Sequence, residues 1–327
     1  MFPEVRLRRL RRTPEIRAMF DAPPPPASKF VWPVFVVAGD KRREPIGAMP
    51  GQFRMSIDTL IRELEPVVAQ GVGGVLLFGQ CEDDAKKDND GTEAYNPRGV
   101  VQRAVPALKR AYPGLVVMTD VCLCAYTSHG HCGPLRPDGS VENDAANALL
   151  AKVALSHAEA GADVIAPSAM MDGQILEIRQ TLDDHDMQDT LLMAYSSKFA
   201  SNMYGPFRDA ENSKPGQGDR KGYQASYANL RAALRESEFD EEEGADILMV
   251  KPALFYLDVL QKIREASDLP VAAYNVSGEY SMLIAAAERG WGDLMGMVRE
   301  SLMAIDRAGA DLFLSYWAPR YREIFNP

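Results

Sequence analysis

The stretch Glu243-Gly-Ala-Asp246-Ile-Leu-Met-Val250-Lys251 joins the end of a predicted helix to a short apolar strand. The same Gly-Ala-Asp triplet recurs in Ala160-Gly-Ala-Asp163 and in Ala308-Gly-Ala-Asp311, each time directly before an apolar run. Glycine at the C-terminus of a helix permits the left-handed cap, and the next strand can then begin at once. Three such junctions indicate a fold that repeats a unit of strand and helix.

Eight short apolar runs predict the strands of this repeat. They are residues 30–38, 74–78, 115–118, 163–166, 191–195, 246–250, 271–276 and 311–316. Apolar residues at helical spacing lie between them, such as Ile57, Leu60, Ile61, Leu64 and Val67, or Leu149, Leu150, Val153, Leu155 and Ala158. Eight units match an α/β fold, the (β/α)8 TIM barrel. A doubly wound open sheet is the alternative, but no Gly-x-Gly-x-x-Gly fingerprint follows the first strand.

The first 28 residues differ from the rest of the chain. Residues 5–17 hold six arginines, and a stiff proline run follows at residues 23–26. A contact with nucleic acid or membrane and a transit peptide are conceivable uses of so basic a segment. We favour an N-terminal arm, residues 1–28, that lies on a neighbouring subunit, followed by a single barrel domain, residues 29–327.

Composition places the chain among globular proteins. Hydrophobic residues make up 46% and charged residues 25%, and the net charge of -10 argues against nucleic-acid binding. No apolar stretch approaches the roughly 20 residues that cross a bilayer, so we expect no membrane contact. Four cysteines in 327 residues do not form a disulfide framework, which predicts a reducing, cytoplasmic location.

Two lysines end two consecutive predicted strands. Lys198 and Lys251 would then lie about 5 Å apart at the rim of the barrel, where active residues of this fold gather. Two ammonium groups at this distance repel each other. At least one of the two lysines should therefore lose its proton and become a free amine. A neutral lysine is a nucleophile for ketones and forms a Schiff base. The alternative for each lysine is a solvated or ion-paired charge at the rim.

Three cysteines follow the third predicted strand in a C-x-C-x7-C pattern. Cys122, Cys124 and Cys132 could together bind one soft cation such as zinc and leave a fourth position open for water or substrate. The alternative is a set of reduced cysteines without a metal. His129 and His131 are either further ligands or polar loop residues, and Cys81 lies far away in sequence.

A long connection, residues 199–225, follows Lys198. Loops of this length inside a compact domain are usually lids or disordered segments. Arg208 and Arg220 within it could bind a carboxylate, and closure would exclude water. Ser277 and Tyr316 could form a second carboxylate cradle on the far side of the rim. Together with the lysines, these groups predict that two small keto acids are handled together.

In combination, these residues resemble the porphobilinogen synthase family, also called 5-aminolevulinate dehydratase, over essentially the whole chain. The motifs that carry the resemblance are T-D-V-C-L-C (119–124), T-S-H-G-H-C-G (127–133), A-P-S-A-M-M-D-G (166–173), M-A-Y-S-S-K-F-A-S (193–201), Y-G-P-F-R-D-A (204–210), M-V-K-P-A (249–253) and V-S-G-E-Y (276–280). The resemblance implies a hydro-lyase that joins two molecules of 5-aminolevulinate into porphobilinogen, on the route to haem and other tetrapyrroles.

The resemblance also implies a role for each site residue. Lys251 would hold the substrate that becomes the propionate side as a Schiff base, and Lys198 the substrate that becomes the acetate side. Zn²⁺ would be bound by Cys122, Cys124 and Cys132, because zinc-independent members carry aspartates there. The remaining assignments are Asp120 and Ser168 to orient the reacting groups, Arg208, Arg220 and Gln224 for one carboxylate, and Ser277 and Tyr316 for the other.

Regulation and assembly are implied in the same way. Glu236 matches the position at which many bacterial members bind an activating Mg²⁺, although a solvated helix face is an equally good interpretation. Family members commonly assemble as homo-octamers, built from dimers through the N-terminal arm. Two departures from the family concern substrate affinity or lid kinetics: Lys-Pro-Ala-Leu-Phe-Tyr after residue 250 replaces the usual K-P-G-M-P-Y, and the lid is slightly longer.

Two competing functions remain at this stage. A class I Schiff-base aldolase would also place a lysine at a barrel strand end, but it would need one lysine and no cysteine-bound metal. A non-catalytic zinc-binding barrel would require a nucleophile or an anion clamp to be missing, and none is.

Overall fold

A closed, parallel barrel forms the body of the protein. The computed structural model describes residues 4–81, 83–211, 213, 215–216 and 218–326. Within these residues the strands are β1 (Phe30–Val36), β2 (Arg43–Pro45), β3 (Phe53–Met55), β4 (Gly74–Gly79), β5 (Val116–Val121), β6 (Val164–Pro167), β7 (Leu191–Lys198), β8 (Ile247–Lys251), β9 (Val271–Asn275) and β10 (Leu312–Ser315). Strands β1 and β4–β10 pair in parallel in chain order, and the pairing of β10 with β1 closes the ring. The predicted (β/α)8 barrel is confirmed.

Helices alternate with the barrel strands. The described helices are α1 (Pro14–Phe20), α2 (Ile57–Val68), α3 (Val100–Ala111), α4 (Asn143–Glu159), α5 (Gln174–Asp184), α6 (Gly205–Glu211), α7 (Leu230–Glu242), α8 (Leu257–Ala266), α9 (Ser277–Glu288), α10 (Leu294–Arg307) and α11 (Tyr321–Phe325). Helices α2 and α4 contain the two amphipathic patterns that predicted them. None of the described helices is long and apolar enough to span a membrane.

The Gly-Ala-Asp triplets fasten the N-terminal ends of the strands. All three glycines are left-handed, with φ of 97° at Gly161, 100° at Gly244 and 105° at Gly309, as the helix caps require. The aspartate of each triplet then accepts a hydrogen bond from an amide of the preceding barrel strand: Val117 to Asp163 at 2.8 Å, Leu192 to Asp246 at 2.7 Å and Val271 to Asp311 at 3.1 Å. The repeated sequence is therefore a repeated clamp that sets strand register.

Two strands were not predicted from the sequence. Strands β2 and β3 form a short antiparallel pair, and β3 extends the sheet beside the end of β1. Each has only three residues and is mostly exposed or half-buried, so neither shows the alternation or the apolar run that marks a longer strand. The extension matters for the site, because it brings Arg54 to the barrel rim.

The segment before the barrel packs loosely on it. It contains a 3₁₀ turn, Leu7–Arg11, and helix α1, and neither has a buried residue. Its apolar side chains Leu10 and Phe20 are more than half exposed. The Tyr321 hydroxyl donates a hydrogen bond to the Pro25 carbonyl at 2.9 Å, which attaches the proline run to the barrel. The division at residues 28 and 29 stays a prediction, and residues 1–3 and 327 lie outside the described part of the chain.

Candidate active site

A helical lid covers the C-terminal rim of the barrel. The segment that follows Lys198 was predicted as a long connection, and it contains a 3₁₀ turn (Asn202–Tyr204) followed by α6. The turn packs closely on the start of α9, since a Cβ at Gly278 would lie 2.4 Å from the Met203 carbonyl oxygen. Residues 212, 214 and 217 of this connection lie outside the described part of the chain.

The lid is held from two sides of the barrel. At its C-terminal end, Arg54 donates to the carbonyl oxygens of Asp209 and Ala210, both at 2.6 Å, and Gln80 donates to the same Ala210 carbonyl. These donors satisfy carbonyls that a helix end leaves without intrahelical partners. Earlier in α6, the Phe207 amide donates to the Ser277 hydroxyl at 3.0 Å. The lid is thus fastened over the rim by β3, by the loop after β4 and by α9.

A small, largely enclosed cavity lies under this lid. It is lined by Phe78, Asp120, Cys124, Ser168, Lys198, Tyr204, Phe207, Arg208, Glu211, Arg220 and Lys251. These residues come from the ends of several strands and from the lid, as expected for the active end of this fold. The cavity brings together the two lysines, two arginines and Asp120 that the sequence singled out.

The two lysines are paired across neighbouring strands. Lys198 on β7 and Lys251 on β8 are in register, beyond an irregularity in β7 between Ala194 and Ser197. Both side chains are buried, with exposed fractions of 6% and 3%. Sequence topology predicted this proximity.

Aromatic rings enclose the Lys251 amine. Its Nζ lies 4.2 Å from the centroid of Tyr274, 4.9 Å from those of Tyr195 and Phe207, 5.5 Å from that of Tyr204 and 5.9 Å from that of Phe78. Burial, and after it the charge of Lys198, lower the pKa of Lys251 to about 7, against the opposing charge of Asp120. Rings attract a cation, but here the cost of removing the amine from water is larger. At neutral pH Lys251 is therefore present in comparable amounts as ammonium and as free amine.

Lys198 has a more polar environment. Its Nζ donates a hydrogen bond to the Ser168 carbonyl oxygen, and a single ring, that of Tyr195, lies near it at 5.4 Å. Ser168 therefore contacts Lys198 through its main chain. The two amines are close in the barrel and yet differ in their partners.

Asp120 lies at the end of β5, facing both lysines. Burial raises the pKa of its carboxyl to about 6, and the charges of Lys198 and Lys251 oppose that rise. One carboxylate oxygen, Oδ1, is buried without a hydrogen-bond partner. A carboxyl group with this pKa can take up or release a proton near neutral pH.

Three cysteine thiols meet beside the cavity. The sulfur atoms of Cys122, Cys124 and Cys132 all lie within 4.8 Å of one another, and all three residues are buried. Hydrogen bonds from the neighbouring thiols lower the pKa of Cys132, whereas the same contacts raise the pKa of Cys122. Three buried sulfur donors that converge in this way suit a soft cation such as zinc. The residues present therefore fit a bound metal.

The other candidate ligands lie apart from this cluster. His131 has its Nδ1 3.2 Å from the Tyr223 hydroxyl, and His129 has its Nε2 3.2 Å from the Asn89 carbonyl. Neither histidine belongs to the group of converging ligand atoms among the described residues. Cys81 is half-buried and donates to the Asp83 carbonyl at 3.2 Å.

Several polar atoms near the cavity have no hydrogen-bond partner among the described residues. They are the Nε atoms of Arg208 and Arg220 and the Oε1 atom of Gln224, all of which are buried. Buried donors without partners are costly, which indicates that a ligand completes them. The two guanidinium groups suit a carboxylate.

Some predicted site residues do not line this cavity. These are Gln224, Ser277, Tyr316, Cys122, Cys132 and Glu236. Ser277 is buried and accepts the lid amide of Phe207, and the Tyr316 hydroxyl lies 3.1 Å from that of Tyr274. Glu236 lies half-buried on α7, where burial and then the charges of Asp172 and Glu243 raise its pKa.

Two features of the site were missed in the sequence. The ring cage around Lys251 had a signal, because Phe78, Tyr195 and Tyr274 stand near the ends of predicted strands. No sequence signal marked Glu211, because glutamates are common in polar connections. Its side chain is buried at 4% exposure, its carboxylate accepts from the Ser213 hydroxyl at 2.9 Å, and it lies 3.7 Å from the Cys124 sulfur.

Fold and site together define a (β/α)8 barrel enzyme with paired, buried lysines beside a thiol cluster. Comparison with known proteins narrows this class. The family model described as delta-aminolevulinic acid dehydratase matches residues 4–324. The chain belongs to the delta-aminolevulinic acid dehydratase family, and it is a lyase.

Individual relatives are similar over nearly their whole length. A delta-aminolevulinic acid dehydratase from Synechocystis is 49% identical, covering 97% of both chains. Its counterpart from Methanothermobacter thermautotrophicus is 51% identical and covers 97% of this chain and 96% of its own. A crystal structure of the Toxoplasma gondii enzyme in complex with the reaction product porphobilinogen superposes with a TM-score of 0.94 at 43% identity, covering 98% of this chain and 91% of that one.

Proposed function

We infer that this protein condenses two molecules of 5-aminolevulinate into porphobilinogen, with loss of water, in tetrapyrrole biosynthesis. The observation that carries this conclusion is the in-register pair Lys198 and Lys251, buried in one cavity of a chain that belongs to this family. An aldolase would leave the second lysine and the cysteine cluster without a role.

Lys251 acts as a nucleophile in the proposed reaction. Because its pKa is about 7, a large fraction of the amine is free at neutral pH and can attack the ketone carbon of 5-aminolevulinate. Loss of water from the adduct gives a Schiff base on the chain that becomes the propionate side. Lys198 binds the second substrate in the same way on the acetate side. Holding both substrates on adjacent strands converts their encounter into an intramolecular reaction.

The surrounding side chains position the substrates and move protons. Asp120 faces both amines and, with a pKa of about 6, can exchange a proton with either substrate. Ser168 orients Lys198 through its main-chain carbonyl. Arg208 and Arg220, with Gln224, bind one carboxylate through atoms that have no hydrogen-bond partner in the described part of the chain. We assign Ser277 and Tyr316 to the other carboxylate, because the Ser277 hydroxyl can accept from the lid amide and still donate its own hydrogen to the substrate.

Cys122, Cys124 and Cys132 would hold a zinc ion. When bound, zinc supplies Lewis-acid polarisation of a carbonyl or amino group on the second substrate. The support for this assignment is the convergence of three buried sulfurs next to the cavity, with Cys124 in its wall.

The test is porphobilinogen formation from 5-aminolevulinate before and after zinc chelation. Loss of product on chelation and its return with zinc would support both the reaction and the cysteine site. A Cys124→Ser variant should lose zinc-dependent activity, whereas Cys81→Ser, a thiol outside the cluster, should keep it. Product formation that survives effective metal removal would refute the catalytic role of the three cysteines, and absence of product with all metals supplied would refute the reaction.

We also propose Glu236 as a ligand of an activating Mg²⁺ ion. Asp172 and Glu243 lie near it, and their negative charge would favour a hard cation there. A Glu236→Gln variant should lose stimulation by magnesium while keeping zinc-dependent activity. Equal stimulation in the variant and the wild type would refute this assignment.

Assembly through the N-terminal arm is a further part of the proposal. The arm carries six arginines and exposed apolar side chains, which suit the surface of a partner subunit, since the whole chain is acidic with a net charge of -10. A chain that lacks residues 1–28 should sediment as a smaller species than the full-length octamer. If the truncated chain assembles with the same number of subunits as the full-length chain, the role of the arm is refuted.

A further inference from the structure

Glu211 is a buried carboxylate inside the active-site cavity. It ends helix α6, is 4% exposed and lines the cavity with Lys251 and Cys124. None of the ion pairs between described side chains includes it. Burying an ionised carboxylate is costly unless a cation or hydrogen-bond donors compensate it, so a cation bound at this position would stabilise the ionised form of Glu211.

The side chain of Glu211 points at the cysteine cluster. Its Oε2 atom lies 3.7 Å from the Cys124 sulfur. Zinc binds sulfur at about 2.3 Å and a carboxylate oxygen at about 2.0–2.2 Å, so two such ligands of one tetrahedral ion lie about 3.5 Å apart. The observed separation is close to that value.

We propose that Glu211 is a lid-borne fourth ligand of the metal held by Cys122, Cys124 and Cys132, and that it occupies the open position while substrate is absent. The proposal rests on the metal site of the proposed function. Glu211 lies outside the group whose ligand atoms are all within 4.8 Å of one another. Coordination of the same ion would therefore require the Glu211 carboxylate to turn toward Cys122 and Cys132 by rotation about its own side-chain bonds.

A second set of contacts orients this carboxylate. The Ser213 hydroxyl donates to Glu211 Oε2 at 2.9 Å, and the Ser213 carbonyl accepts from Arg220 at 2.6 Å. Carboxylate ligands of metals are usually held by hydrogen bonds of this kind, which fix their direction. The chain from Arg220 through Ser213 to Glu211 thus links a proposed substrate-binding group to the metal ligand.

The linkage gives Glu211 a role that changes with substrate. A substrate carboxylate that binds the unpartnered Nε of Arg220 would share this guanidinium with the Ser213 carbonyl, and a shift of the guanidinium toward the substrate would loosen Glu211 from the fourth position. In this exchange one carboxylate–metal bond would break and one bond from a substrate donor would form, with no change of oxidation state.

Cobalt-substituted protein tests this inference by a readout other than activity. Absorption bands of Co²⁺ report its ligand set, and thiolate-to-cobalt bands show that the cysteines bind it. We expect the ligand-field bands of Glu211→Gln to differ from those of the wild type without substrate. Addition of 5-aminolevulinate should make the ligand-field bands of the two proteins alike, because the substrate displaces the side chain at position 211 from the metal in both. Asp209→Asn, which removes an exposed carboxylate from the same helix, should match the wild type throughout.

Metal affinity provides the second measurement. In a chelator competition, Glu211→Gln should bind zinc about 10–100-fold more weakly than the wild type, and Ser213→Ala, which keeps the carboxylate, should lose a smaller factor. Identical cobalt bands and zinc affinities in wild type and Glu211→Gln would overturn the inference and leave the metal site intact. A wild-type protein without any thiolate-to-cobalt absorption would overturn the metal site and the inference together.

Discussion

Lys198 and Lys251 occupy equivalent places on neighbouring strands, but their environments differ. Lys251 lies within 6 Å of five ring centroids, and its pKa falls to about 7. Lys198 contacts one of these rings and donates to a main-chain carbonyl. Strand register places both amines at the rim, and the side chains around each decide its chemistry.

The lid contributes part of this difference. Of the rings around Lys251, those of Tyr204 and Phe207 belong to the lid, whereas Phe78, Tyr195 and Tyr274 come from the barrel. Closing the lid therefore removes Lys251 from water more than it does Lys198. The first substrate bound at neutral pH should react with Lys251, since burial in apolar surroundings favours its neutral amine.

The largest expected effect comes from removing either amine. Lys251→Met and Lys198→Met should each lower product formation by about 10⁴–10⁶-fold, as loss of a nucleophile does. Borohydride reduction with 5-aminolevulinate, followed by peptide mass spectrometry, should place the adduct on Lys251 in the wild type and in Lys198→Met. The exposed lid residue in Lys221→Met serves as a control that keeps activity. An adduct on Lys198 alone would reverse the comparison.

The next largest effect concerns the carboxylate between the two amines. Asp120→Asn should lower kcat by about 10²–10⁴-fold, the usual contribution of a proton-transfer group, with a smaller change in KM. Removing the negative charge should also lower the pKa of Lys251 further, because Asp120 opposes the present shift. Steady-state kinetics over a pH series measures both effects. An exposed loop carboxylate, changed in Asp138→Asn, is the control, and a variant that alters KM alone would contradict the proton-transfer role.

Opening the ring cage should make the environment of Lys251 more like the polar environment of Lys198. Phe207→Ala exposes Lys251, so its pKa should rise from about 7 toward the value of a solvated lysine. Less free amine is then present at neutral pH, and the ascending limb of the activity–pH profile should move to higher pH. A shift of about one unit corresponds to a tenfold loss of free amine below the pKa. Tyr195→Phe keeps its ring and should leave the limb in place; coincident profiles of Phe207→Ala and wild type would show that the ring does not set the pKa.

The smallest expected effect is on stability. The folded-state pKa of Lys251 is depressed, so between about pH 7 and the pKa of an unfolded lysine the unfolded chain binds more protons than the folded one. The free energy of unfolding should therefore rise with pH in this window, and Lys251→Met should lack that contribution. Between pH 7 and 9 the difference should reach at most about 3 kcal/mol, since one pKa unit corresponds to about 1.4 kcal/mol. Denaturant unfolding at both pH values measures it, and parallel pH dependences would contradict the depressed pKa.

The barrel could be predicted from the sequence because its signals are local. Buried parallel strands are continuous apolar runs, and each of the eight was found within a few residues of its observed bounds. The glycines of the Gly-Ala-Asp triplets marked helix ends correctly, because the left-handed cap depends on one residue type. The position of Lys198 beside Lys251 then followed from the order of strands alone.

The remainder of the site depends on contacts between distant residues. Arg54 and Gln80 reach the lid across 156 and 130 positions of sequence, and no local pattern encodes such contacts. The same is true of Ser277, whose hydroxyl accepts a lid amide 70 residues away. The placement of Glu211 in the active-site cavity could be seen only in the structure, because it depends on the direction in which α6 points that side chain. Proximity at the rim is thus predictable from topology, whereas the partners of each group are not.

Arg54 and Gln80 hold the lid through main-chain oxygen atoms, and this has a consequence for how the sequence can vary over evolutionary time. Every residue type presents the same carbonyl, so substitutions at positions 209 and 210 leave these hydrogen bonds available. The end of the lid helix can therefore exchange side chains without losing its place above the site. Position 211 follows directly, and a lineage can acquire a new chemical group there while the rest of the enzyme stays as it was.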